Sequence, residues 1–149
     1  MSDSATPTSD QTVRFVDLVQ IGEGRYKAIN RRGGVLPIGS GDDPDFSPVE
    51  LLLAAIAGCS ILDVAAVTDK RAPATDVRVR TEGHKVRDEH GNRLVDLRVS
   101  FDLTFPDGEA GDAARAVLPR TYAQVRDRLC TVARTVQVGA TITYDGAAD

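Results

Sequence analysis

The chain has 149 residues, with 18 basic and 22 acidic side chains and a net charge of −4. A length of ~100–150 residues is that of one domain, enough to bury a core without a disulfide framework or a structural metal. The acidic balance argues against general nucleic-acid binding, which needs a clustered positive face, and four Phe, three Tyr and no Trp offer few platforms for stacking bases.

Residues 1–11 are polar, without a basic start or an apolar stretch, and read as a disordered tail rather than a signal peptide. The rest, 12–149, reads as a single domain. Residues 13–21 mix Val, Phe and Leu with Asp and Gln and predict a first strand. Gly22-Glu23-Gly24 is a turn, 25–30 a second strand, Arg31-Arg32-Gly33-Gly34 another turn, and 35–38 a third strand. After a loop over 39–45 comes the best helix start of the chain. Ser47 suits the N-cap, Pro48 the first helical position, and Glu50 can bond back to the cap. The helix over 48–70 is apolar on nearly every side, which predicts a core helix wrapped by other elements. Its apolar stretch, 51–67, carries Cys59, Ser60 and Asp63 and is flanked by charges, so it falls short of the ~20 apolar residues of a spanning helix. A soluble, cytoplasmic protein is expected, away from membranes.

Two long strands follow. Val77, Val79 and Thr81 alternate with charged residues, and Leu97, Val99, Phe101, Leu103 and Phe105 with Asp96, Arg98, Ser100, Asp102 and Thr104, as a sheet with one wet face requires. His90-Gly91-Asn92 suits the turn between them. Residues 111–129 predict a second helix, broken or kinked at Pro119. Val136, Val138, Ala140, Ile142 and Tyr144 alternate in what reads as a last strand. The order predicts an α+β fold with antiparallel sheets packed around a long buried central helix. A small domain covers so apolar a helix poorly by itself, which predicts a homodimer.

Chemistry concentrates at Cys59 and Cys130. They lie 71 residues apart and make no local CxxC motif. One reading is two buried cysteines acting as small hydrophobes. The other is a reactive pair, and a thiol reacts as thiolate. Burial in an apolar helix opposes ionisation, and so does Asp63, one turn beyond Cys59. A reactive Cys59 therefore needs an arginine. Arg134 and Arg128 flank Cys130, while Arg25, Arg31 and Arg32 are loop alternatives. Glu50 lies two and a half turns before Cys59 and is either a cap residue or part of the site. His84 and His90, near the hairpin turn, receive no role.

The run Ser47-Pro48-Val49-Glu50 through Ala57-Gly58-Cys59-Ser60, with Asp63-Val64 after it, resembles the first cysteine helix of the OsmC/Ohr family. Cys130-Thr131-Val132-Ala133-Arg134-Thr135 resembles that family's second cysteine segment, and the element order agrees over nearly the whole chain. The resemblance implies an intertwined homodimer with its active site at the interface, and peroxidases that reduce organic hydroperoxides with two thiols. Cys59 would then be the peroxidatic thiol and Cys130 the resolving one. The implied partners are a small-molecule peroxide and an external dithiol reductant, with no metal, flavin or haem. The family's peroxidases carry an arginine where Gly22 stands here, an acidic residue where Val49 stands, and a proline where Thr131 stands. Arg134 is the first choice to replace the arginine. The alternative is a dimer of the same fold without peroxidase activity, which binds a small apolar ligand at its interface.

Overall fold

The computed structural model describes residues 12–148, so the tail expected over 1–11 lies outside the described residues. The chain falls into two compact units that divide between Leu51 and Leu52. In the first, β1 (Asp17–Gly22), β2 (Arg25–Ile29) and β3 (Val35–Ile38) form an antiparallel sheet in that order. Gly24 turns the chain between β1 and β2 at φ 64°, a conformation that favours glycine. The start of α1 (Pro48–Thr68) has the anticipated capping box. The Glu50 N–H donates to Ser47 Oγ at 3.3 Å, and the Ser47 N–H donates to Glu50 Oε1 at 3.1 Å.

The second unit holds the rest of α1, the hairpin β4 (Asp76–Asp88) and β5 (Gly91–Thr104), α2 (Glu109–Gln124), a π-helical turn (Val125–Leu129) and α3 (Thr131–Val138). The hairpin turns over Glu89 and His90, one place earlier than the sequence suggests. Its register shifts where Gly83 faces Asp96 and Leu97, and Asp96 takes φ 53°. Glycine fits this bulge easily, because a Cβ at position 83 would crowd the Val95 carbonyl at 3.3 Å and make the tip of the Leu97 side chain move aside. The inward row of β5, Leu97 to Leu103, keeps the predicted alternation. Phe101 and Leu103 pack on a buried cluster of Val64, Val125 and Cys130.

Three expectations change. First, α1 is not wrapped on all sides within one chain. Its buried residues are Ile56, Ser60, Val64 and Thr68, a single row at four-residue spacing, while Leu62 is 73% exposed. Second, Pro119 lies inside α2 without dividing it, and the helix widens only afterwards, at Val125. Third, the predicted last strand does not form: Thr131–Val138 is helical, and no strand follows among the described residues. A strand needs a neighbour to pair with. The helix instead has a local start, a cap provided by Cys130.

Candidate active site

Two sulfurs meet in the second unit. Cys59 is half-buried on α1, and Cys130 is fully buried between the π turn and α3. The Cys130 N–H donates to the Val125 carbonyl at 3.0 Å, the five-residue bond that closes a π turn. Cys130 then leaves the helix in extended conformation, φ −74°, ψ 107°. Its Sγ accepts the Ala133 N–H at 3.4 Å, filling the N-cap role usually taken by an oxygen. Ser60, next to Cys59, donates its hydroxyl to the same sulfur at 3.7 Å. The π turn is held from the other side by Gln137, whose amide donates to the Arg126 carbonyl at 2.9 Å.

Asp63 completes the group. Cys59 Sγ, Cys130 Sγ and a carboxylate oxygen of Asp63 all lie within 4.8 Å of one another. Burial pushes the Cys59 thiol above its ordinary value. The backbone N–H of Val132 pulls against this, while Cys130 and the charge of Asp63 add to it. The opposition of Asp63 to thiolate formation, expected from its place one turn along the helix, is therefore present. Asp63 Oδ2 is buried and accepts no hydrogen bond.

Several of the remaining candidates are engaged elsewhere. Arg25, at the start of β2, is paired with Asp45 at 2.5 Å. The guanidinium of Arg31 lies over the Phe15 ring, 5.6 Å from its centroid. Glu50 is engaged in the capping box, and the bonds from Ser47 hold its carboxyl below the usual range. Arg134 lies within α3. Its side chain is exposed, and its charge acts on Asp127, whose carboxyl is held low chiefly by Arg126. The structure thus joins Cys59, Asp63 and Cys130, and gives Arg25 and Glu50 local duties in the first unit.

An open cavity of about 520 Å³, within the size range of small-ligand sites, is lined by Ser60 and Ala133, the two residues that donate to Cys130 Sγ, but by neither cysteine. Ile56, Val99, Phe101 and Tyr122 form much of its apolar wall, and Arg126 and Gln137 contribute polar groups. Phe101 and Tyr122 stack with centroids 4.7 Å apart. Sequence reasoning passed over Ser60 and the π turn. Ser60 had a readable signal, since it falls midway in the row from Ile56 to Val64 that faces the core. The π turn had none, because its residues read as ordinary helix.

Residues 39–145 match the family model described as OsmC-like protein. No protein of curated function matches the chain in sequence. Several solved structures share the fold. An OsmC-like protein of unknown function from Vibrio cholerae superposes with a TM-score of 0.70 at 11% identity, over 85% of this chain and 94% of that one. An OsmC-like protein from Mycoplasma pneumoniae gives 0.68 at 14% identity, over 84% and 87%. A protein from Legionella pneumophila described as organic hydroperoxide resistance protein OsmC gives 0.55 at 15% identity, over 84% and 89%. With its α+β architecture, antiparallel sheets and neighbouring cysteines, the chain belongs to the OsmC-like family.

Proposed function

We propose that the protein is a thiol peroxidase that reduces organic hydroperoxides through Cys59 and Cys130, in defence against oxidative stress. One observation carries this reading: a half-buried sulfur and a fully buried one lie within 4.8 Å, and the two residues that donate to the buried one, Ser60 and Ala133, line an apolar cavity. An incoming peroxide meets Cys59 first, and its organic group has apolar wall to rest on. The Cys59 thiolate attacks the outer peroxide oxygen, the O–O bond breaks, and the alkoxide leaves as the alcohol after taking a proton. Cys59 is then a sulfenic acid. Cys130 attacks that sulfur and expels water, which leaves a disulfide. Side-chain rotation must bring the sulfurs from their present separation to ~2.05 Å. An external dithiol restores both thiols and is itself oxidised. No metal, flavin or haem enters this cycle.

The working form in this reading is a homodimer in the cytoplasm, without a nucleic-acid or membrane partner. Leu62 on α1, Leu18 and Ile21 on β1, and Ile142 and Tyr144 near the C-terminus are exposed in the single chain, and a second copy offers the apolar surface to cover them. By length and composition alone α1 is also apolar enough to cross a membrane. Recovery of folded protein only with membranes would exclude the soluble dimer.

The raised thiol of Cys59 favours a second reading, an apolar-ligand-binding protein whose thiols stay inert. One experiment separates the two. Reduced protein is mixed with excess cumene hydroperoxide and its free thiols are counted. Loss of two thiols per chain, abolished in Cys59→Ser, supports the peroxidase. Thiols that survive excess peroxide support the ligand-binding protein.

A further inference from the structure

We infer that Cys59, Asp63 and Cys130 form a three-ligand binding site for a thiophilic divalent cation, zinc above all, in the reduced protein. This inference does not rest on the peroxide chemistry, since it needs two reduced thiols and a carboxylate and no oxidant.

The argument begins with donor atoms. Two thiols and one carboxylate oxygen lie within 4.8 Å of one another. Ligand atoms on one tetrahedral zinc, with bonds of ~2.0–2.3 Å, stand roughly 3.3–3.8 Å apart. Contraction onto an ion thus asks for movements on the order of 1 Å, within the reach of side-chain rotation. Mixed sulfur and oxygen donors suit zinc and its neighbours, whereas calcium and magnesium take oxygen alone.

A second observation points to a ligand independently of the spacing. Asp63 Oδ2 is buried without a hydrogen-bond donor. Buried carboxylate oxygens are normally satisfied, and one that is not calls for an explanation. Its nearest ionisable neighbours in the group are two thiols, which are acids themselves, so nothing there compensates its charge. A dication does.

The surroundings also resemble a metal site's outer shell. Ser60 Oγ donates to Cys130 Sγ at 3.7 Å, and the Ala133 N–H donates to it at 3.4 Å. The Val132 N–H faces the Cys59 sulfur. Such donors orient thiolate ligands and spread their charge. Two ligands on one turn of α1, four residues apart, are joined by a third at the head of α3, the arrangement of a clasp between two elements. The protein supplies three ligands, so the fourth position is left to water, as in open zinc sites. When the ion binds, each thiol releases its proton to solvent and forms a metal–sulfur bond, and no electron moves. Occupation would cover the Cys59 sulfur and exclude disulfide formation.

The test uses the full reduced chain, stripped with a chelator and titrated anaerobically with Co²⁺. The expected result is one Co²⁺ per chain, with a sulfur-to-cobalt charge-transfer band that Zn²⁺ abolishes by displacement. Zn²⁺ at one equivalent should also slow alkylation of Cys59. The band should disappear in Cys59→Ser, in Cys130→Ser and in the disulfide form of the wild type. Asp63→Asn, nearly isosteric, should weaken binding by at least about tenfold with its melting temperature unchanged. The oxidised wild type and Asp63→Asn carry the test if Cys130→Ser does not fold. The inference fails if reduced protein shows no such band at stoichiometric Co²⁺, if binding survives disulfide formation, or if Asp63→Asn binds as tightly as wild type. No peroxide is present, so the result is separable from the thiol count described above.

Discussion

Leu62 offers the most direct handle on the proposed dimer. It lies in the middle of α1 and is 73% exposed in the single chain. Burying a leucine side chain completely stabilises by ~1.5–3 kcal/mol. Covering the exposed share against a second copy is therefore worth roughly 1–2 kcal/mol per chain, and a two-fold interface uses the residue twice. Leu62→Ala keeps the Cβ but leaves a cavity on each side of the axis, which adds to the loss. Dimerisation should weaken by roughly 2–4 kcal/mol, or about 30- to 1,000-fold in Kd. Sedimentation equilibrium over a dilution series reads this directly, and circular dichroism at each concentration reports whether the chain stays folded. A surface leucine facing water would instead respond by less than ~0.5 kcal/mol. The reasoning is refuted if wild type is a folded monomer at micromolar concentration, or if Leu62→Ala associates with unchanged affinity.

Four further outcomes are expected. Gly111→Ala should destabilise by roughly 1–3 kcal/mol in urea titration, although alanine is the better helix former by ~1 kcal/mol; a Cβ there would run into the Pro106 carbonyl, which Arg115 already holds at 3.0 Å. Ser47→Ala should cost ~1 kcal/mol through the lost cap and lower Tm by about 2–4 °C, whereas an activity loss in Glu50→Gln at unchanged Tm would make Glu50 part of the site. Because the folded-state value of Glu50 is depressed, its contribution is present above the ordinary glutamate value of ~4.3 and fades as pH falls through the depressed value; Glu50→Gln should flatten that part of an acid denaturation curve. In a Cys130→Ser background, alkylation of Cys59 should rise with pH only above the ordinary thiol range, and Asp63→Asn should move that rise to lower pH by removing a charge that opposes the thiolate; a profile that Asp63→Asn leaves in place contradicts the role given to Asp63, and one that Arg134→Met moves upward restores the arginine as activator.

Much of the local structure was legible in the residues themselves. Ser47, Pro48 and Glu50 start α1 through contacts three residues long, and such contacts need nothing from the rest of the chain. The alternation from Leu97 to Leu103 holds because one face of the hairpin packs on the buried cluster. The motif around Cys59 and the segment after Cys130 pointed to the family that the match over residues 39–145 shows. Tertiary structure decided the rest. The alternation Val136, Val138, Ala140, Ile142, Tyr144 reads as a strand, but strand propensity counts only where a partner strand exists. The π turn instead delivers Cys130 in extended form at a helix start, where its sulfur caps α3. The same bend sets that sulfur beside Ser60 and within reach of Cys59 and Asp63. Those four residues are separated by as many as 71 positions. Only packing of α1 against the π turn brings them together, and a side chain's neighbours across such a distance leave no trace in local pattern. The exposed flank of α1 has the same origin: an apolar helix declares that it will be covered, and the fold determines which row its own chain covers.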